Sequence, residues 1–175
     1  ADLWLIKLDF SGNIMWQKNI GGNLWDQIYS LKQTRDGGFI LGANSASSAS
    51  VDKTEESFGI TDYWVVKVDT IGNIQWQNSI GGSYVEDLYN LSQTFDGGYI
   101  LGGLSKSGIS GDKTEGCHGN SDYWIVKTDS MGNIEWQNTI GGNDEECLNS
   151  IQQTSDSGFV MGGMSSSPIS GDKTE

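Results

Sequence analysis

The apolar residues of this chain fall in short runs with the two-residue period of β-strands, and glycine-rich turns separate the runs. In the middle of the chain, Tyr63 to Asp69 is apolar and rich in β-branched residues, a strand composition. Thr70-Ile71-Gly72-Asn73 supplies turn chemistry. Asn73 to Ile80 alternates, with Ile74, Trp76, Asn78 and Ile80 on one face. Gly81-Gly82 breaks that pattern. Glu86 to Thr94 reads as a third strand, closed by Asp96-Gly97-Gly98, and Tyr99 to Ser105 as a fourth. A long polar connection, Lys106 to Ser121, follows. No window holds an apolar period of 3.6, so helix is expected to be scarce.

The same pattern is written three times at a spacing of 60 residues. Asp2-Leu3-Trp4 returns as Asp62-Tyr63-Trp64 and Asp122-Tyr123-Trp124, and Ile20-Gly21-Gly22 returns at 80–82 and 140–142. Asp52-Lys53-Thr54-Glu55 returns at 112–115 and 172–175. The copies are 1–60, 61–120 and 121–175, one repeat array. A four-stranded unit cannot bury both faces alone, and stacking sheet on sheet solves this. The expected fold is therefore all-β: β-propeller blades of four antiparallel strands per repeat. Glu86–Thr94 would be the innermost strand, Tyr99–Ser105 the second, Tyr123–Asp129 the third and Asn133–Ile140 the outermost. Blade boundaries then fall at the Gly-Gly pairs, so 2–20 is an outer pair without an inner one and 146–165 an inner pair without an outer one. Rings commonly need four to eight blades, so further sequence or an assembly of chains is expected. A β-trefoil, also built from three four-stranded units, is the alternative.

Composition fits many short strands joined by Gly-rich turns: hydrophobic content is 35%, with 25 Gly and one Pro. The net charge of −13 repels phosphate backbones and argues against nucleic acid as a partner. It suits cations or plain solubility. No stretch approaches the ~20 apolar residues of a membrane span. The chain opens at Ala1, with neither a signal peptide nor an initiator Met, and reads as a mature product or a piece of something longer.

The unit Asp-Tyr-Trp-Ile-Val-Lys-Thr-Asp-Ser-Met-Gly-Asn-Ile-Glu-Trp-Gln-Asn-Thr-Ile-Gly-Gly (122–142), the stretch Gln-Thr-Phe-Asp-Gly-Gly-Tyr-Ile-Leu-Gly-Gly (93–103) and Ser-Gly-Asp-Lys-Thr-Glu (110–115) together resemble a family of tandem propeller-like repeats. These occur in large secreted bacterial proteins, many with a C-terminal sorting tail for type IX secretion. The resemblance spans the chain and implies export and a surface or extracellular role, with no characterised activity; no sorting tail is visible. The hairpin 64–76 also resembles the outer hairpin of quinoprotein-type blades, and no residue set points to a quinone.

Candidate chemistry is sparse. The Asp-Lys-Thr-Glu loop recurs although it lies in a long connection, where drift would cost little. Its carboxylates are hard oxygen donors, so Asp52, Glu55 and Asp62, and equivalently Asp112, Glu115 and Asp122, are a candidate calcium set. The other reading is that Asp and Thr cap turns while lysine neutralises a neighbour. Cys117 lies in a loop and Cys147 opens an innermost strand on the same face, which makes them a candidate disulfide; two free thiols are the alternative. Trp25 and Tyr84 are candidate ligand-face aromatics for glycan. Lys7, Lys67 and Lys127, mid-strand, are expected to pair with carboxylates. His118 has no repeat partner, and no nucleophile elbow, P-loop or Cys-x-x-Cys occurs. The expected function is a non-catalytic extracellular or cell-surface module for binding, adhesion or self-assembly, with glycan, a surface protein or another copy as partner. The alternative is an accessory region of a secreted hydrolase.

Overall fold

The computed structural model describes residues 1–175 and contains strands but no helix. The strands are β1 (Leu3–Leu8), β2 (Ile14–Ile20), β3 (Asp26–Gln33), β4 (Phe39–Ser45), β5 (Asp62–Val68), β6 (Ile74–Ile80), β7 (Glu86–Gln93), β8 (Tyr99–Ser105), β9 (Asp122–Thr128), β10 (Ile134–Ile140), β11 (Glu146–Gln153) and β12 (Phe159–Ser165). They form four antiparallel sheets: the pair β1-β2, the meanders β3-β4-β5-β6 and β7-β8-β9-β10, and the pair β11-β12. Each meander begins after a Gly-Gly, so the sheet boundary lies where the repeat pattern places it. The sheets β1-β2 and β11-β12 are two-stranded.

The hairpin tips are built by side chains. In the β5–β6 turn, Asp69 Oδ1 accepts from the backbone N–H groups of Ile71 and Asn73, and Asn73 Nδ2 donates to Asp69 Oδ2. Asp9 and Asp129 do the same. In the β3–β4 and β7–β8 turns, Asp36 and Asp96 accept from the N–H groups of Gly38 and Gly98 and from the hydroxyls of Thr34 and Thr94. Gly37 and Gly97 take left-handed backbone there, φ 84° and 92°, and in the third copy Ser157 occupies it at φ 69°.

One irregularity sets the packing. The β3–β4, β7–β8 and β11–β12 ladders each slip by a residue, between Ile28 and Ser30, Leu88 and Asn90, and Leu148 and Ser150. A bulge of this kind breaks the strand's parity. Leu88 and Leu91, three apart, are both fully buried, and both reach Gly42 of the preceding sheet. Leu148 and Ile151 reach Gly102 likewise. β7 thus packs on β3, β4 and β5, and β11 on β7, β8 and β9. Farther out, Trp16, Trp76 and Trp136 stack edge-on against Phe39, Tyr99 and Phe159 of the following sheet, at 6.0, 5.7 and 5.7 Å between centroids. Trp64 and Trp124 are buried in the core, whereas Trp4, at the same repeat position, is 63% exposed.

A Cβ at Gly102 would stand 2.7 Å from Leu148 Cδ2 and 3.3 Å from Ile151 Cγ2. Gly102→Ala is expected to destabilise the protein by about 1–3 kcal/mol, the usual cost of overpacking. In urea denaturation the cost should shrink when Leu148→Ala is also present. Ser157→Gly removes a left-handed non-glycine residue and should raise stability by up to about 1 kcal/mol, while Gly97→Ser should lower it.

Candidate functional site

The loops meet at one end of the sheets. Gly21 to Trp25 ties to the β4–β5 connection: Ala46 N–H donates to the Trp25 carbonyl, Leu24 N–H to Ser47 Oγ, and Asp52 N–H to the Gly21 carbonyl. The segment 82–85 repeats this toward Ser107 and Lys106. It also receives Ile60 N–H at the Tyr84 carbonyl.

Under this face lie buried carboxylates. Glu86, fully buried, accepts from Ser105 Oγ at 2.7 Å and from Gly82 N–H at 2.7 Å. Asp26 accepts from Ser45 Oγ, Ser47 Oγ and Gly22 N–H, and Glu146 from Ser165 Oγ and Gly142 N–H. These latches pin the Gly-Gly turn to the second strand of each sheet. The sequence carries them, because Ser45, Ser105 and Ser165 recur with Ser47, Ser107 and Ser167. A serine at a strand end or in a polar loop carries no mark of burial in its sequence.

The Asp-Lys-Thr-Glu loop is a clamp between sheets. Asp112 Oδ2 accepts from Gly81 N–H, and its carbonyl accepts from Gln137 Nε2 at 2.5 Å. Glu115 Oε2 accepts from Thr139 N–H at 2.9 Å, and Glu55 from Ser79 N–H at 2.6 Å. The glutamates therefore satisfy N–H groups on the outermost strands, where a sheet edge is otherwise bare. Lys53 and Lys113 are buried. Lys53 Nζ donates to the Ser47 carbonyl and Ser57 Oγ. Lys113 Nζ donates to Thr139 Oγ and lies 5.6 Å from the centre of a Trp124 ring. Burial lowers the pKa of both lysines, and nearby carboxylates raise it in part.

The structure does not gather the candidate calcium ligands: no three acidic, His or Cys side chains stand so as to hold a metal ion. Asp52 and Glu55 are engaged with Gly21 N–H and Ser79 N–H. Asp62 accepts from Phe58 N–H and Gly59 N–H, and Asp122 from His118 N–H. The other oxygen of each aspartate, Oδ1, is buried without a partner, against Gly81 and Gly141, where a Cβ would collide with it. Burial pushes Asp62 up to about 6 and raises Asp122 and Asp112 too.

Nor does the structure join Cys117 to Cys147; both are free thiols. Cys117 Sγ donates to the Ser105 carbonyl. Cys147 lies beside the Tyr89 hydroxyl of β7. Burial raises both thiols. The mid-strand lysines do find carboxylates: Lys67 Nζ to Asp36 Oδ2 at 2.9 Å, and Lys127 Nζ to Asp96 Oδ2 at 2.9 Å and Glu135 Oε2 at 2.7 Å. Thr34, then Lys67, hold Asp36 down to about 2, and Thr94, then Lys127, do so for Asp96. Lys7 has no carboxylate and lies 5.7 Å from the Phe39 ring centre.

Trp25 and Tyr84 stand exposed on the loop face, at 39% and 56%, with Leu24, Phe58 and Ile60. Phe58 also lines an open cleft of about 610 Å³ with Glu55, Glu56, Asn78, Asp112 and Asn133; Trp25 and Tyr84 do not. No helix of the molecule is long and apolar enough to cross a membrane. The chain matches no protein-family model and no curated protein.

Asp62 makes stability depend on pH. Its folded value of about 6 lies above the unfolded ~3.9, so its favourable contribution is complete below about pH 4 and lost as pH rises through 6. Asp36 and Asp96, at about 2, act oppositely and only in stronger acid. Unfolding free energy should fall by about 2 kcal/mol between pH 4.5 and 7.5 on account of Asp62. Denaturation of Asp62→Asn at the two pH values should show that slope reduced.

Proposed function

We propose that this chain is a non-catalytic β-propeller repeat module, exported to the bacterial surface or medium, that presents a loop face to a glycan or a surface protein. Four-stranded antiparallel meanders stacked in series support the blade reading, and the sequence resemblance supports export. The observation that carries the binding role is a division of labour between repeated and unrepeated residues. The repeated polar side chains are engaged in equivalent structural bonds in both complete sheets: Asp26 and Glu86 in latches, Glu55 and Glu115 in clamps, Lys67 and Lys127 in ion pairs. Among the residues that differ between copies, a group stands in the loops. Leu24, Tyr84 and Asp144 share one position, Trp25, Val85 and Glu145 the next, and Phe58 and His118 another. A rigid frame with variable loops is how many binding scaffolds work, and exposed aromatics beside carboxylates and amides suit a sugar ring.

The test is retention of the intact protein on immobilised insoluble polysaccharides and mucin. Trp25→Ala with Tyr84→Ala should cut binding at least about tenfold, the loss expected for aromatic anchors, with no change in melting temperature. Equal binding by the double variant would overturn the assignment of this face.

A further inference from the structure

A second cleft, of about 490 Å³, opens at the end of the sheets opposite the loop face, a size within the range of small-molecule sites. It lies between the two four-stranded sheets. The β3–β4 turn gives it Arg35, β5 gives Lys67, β6 gives Gln75 and Trp76, β8 gives Tyr99, and the β9–β10 turn gives Met131. Lys67 and Trp76 recur in the other copies. Three of their neighbours do not. Arg35 stands where the other copies have Phe95 and Ser155, Gln75 where they have Met15 and Glu135, and Tyr99 where they have Phe39 and Phe159. Separate departures from the repeat, on three different elements, therefore meet in one cleft. Arg35 brings a guanidinium, Gln75 an amide and Tyr99 a hydroxyl, all of them donors.

The charge balance changes with them. At this junction Arg35 and Lys67 face one carboxylate, Asp36, whereas at the next Lys127 faces two, Asp96 and Glu135. The hydrogen bonds point the same way, because the acceptors are occupied. Asp36 Oδ1 accepts from Thr34 Oγ1 and Gly38 N–H, and Asp36 Oδ2 from Lys67 Nζ. Gln75 Oε1 accepts from Lys67 Nζ at 2.9 Å, and Gln93 Oε1 from the Arg35 backbone N–H at 3.0 Å. The donors remain. Arg35 commits Nη1 to the Phe95 carbonyl and Nη2 to the Thr94 carbonyl, which leaves the rest of its five-donor fork. Gln75 Nε2 and the Tyr99 hydroxyl donate to no group of the protein. Free donors, occupied acceptors and surplus positive charge select an oxyanion.

We infer that this cleft binds the carboxylate of an acidic sugar, a single hexuronate unit at the end of a glycan. The net charge of −13 repels polyanions, so the ligand carries one carboxylate on an otherwise neutral body. Arg35 would hold that carboxylate, and Gln75 Nε2 and the Tyr99 hydroxyl would donate to oxygens beside it. Trp76 and Met131 would meet the C–H face of the ring. The site goes beyond the loop-face reading and uses neither Trp25 nor Tyr84.

Titration calorimetry of the intact chain with glucuronate should give a Kd of about 1 mM, the affinity expected of so small a ligand. Glucose and a glutamate-containing tripeptide with blocked termini should give no heat of binding at the same concentrations. Three variants borrow residues that other copies already carry, so the frame accepts them; Phe95 N–H, for one, makes to Gln153 the bond that Arg35 N–H makes to Gln93. Arg35→Phe should weaken glucuronate binding at least about tenfold, Tyr99→Phe about fivefold, and Gln75→Glu should abolish it by like charge, each with the melting temperature unchanged. Trp25→Ala with Tyr84→Ala should leave it intact. No binding of glucuronate, or equal binding by Arg35→Phe, overturns the site. Equal binding of the tripeptide overturns the sugar assignment, and loss of glucuronate binding in the Trp25, Tyr84 double variant moves the sugar to the loop face and overturns the proposal as well.

Discussion

The fold depends on a close approach of two sheets at a glycine. Leu88 and Leu91 of β7 reach Gly42 of β4, and Leu148 and Ile151 of β11 reach Gly102 of β8. Two conditions make this possible. The second strand must lack a side chain where the next sheet lands, and the first strand must turn two residues of opposite parity to one face. The bulge at Tyr89, repeated at Tyr29 and Asn149, meets the second condition. Without it Leu91 would point away from Leu88, and half of the apolar contact between successive sheets would be lost. The outer tryptophans, turn to turn, then fix the sheets at their far edge. Inner and outer contacts together set the stacking, and neither exists within a single repeat.

The polar interior follows from the same geometry. Stacked sheets bury the turns that connect them, and the backbone N–H groups of those turns need acceptors. Glu86, Asp26 and Glu146 provide them, at the cost of holding carboxylates out of water. Lys53 and Lys113 lie close enough to offset that charge without touching it; their ammonium groups bond carbonyls and hydroxyls. Asp62 and Asp122 show where compensation is incomplete. Each has one oxygen buried without a partner, and burial dominates the upward shift of both.

The repeat made most of this architecture legible. The absence of helix, the strand positions and the sheet boundary at Gly-Gly all follow from alternation, turn residues and a fixed spacing. Lys67 and Lys127 found carboxylates because a charge on a buried strand needs one, while Lys7, on the more exposed β1, did not. Other features were not legible. A bulge leaves no composition signal, so Leu88 and Leu91 read as opposite faces of one strand. The Asp-Lys-Thr-Glu loop, read as candidate calcium ligands, places Asp112 on Gly81 N–H and Glu115 on Thr139 N–H. Carboxylates held by backbone N–H groups and carboxylates held by an ion are the same letters in the same loop. The two cysteines were likewise placed at one end by topology, while strand parity and loop path gave them different neighbours, Tyr89 and Ser105.

Repetition also constrains what such a molecule can do. A residue that recurs in every copy is needed by every copy, and here the recurring polar groups are engaged in latches, clamps and ion pairs. Chemistry that acts on one substrate at one place requires a group that breaks the pattern. Among the residues that break it, Leu24, Tyr84 and Asp144, with Phe58 and His118, lie in exposed loops, away from the glycine contacts. The frame therefore repeats from copy to copy, and the loop residues vary upon it.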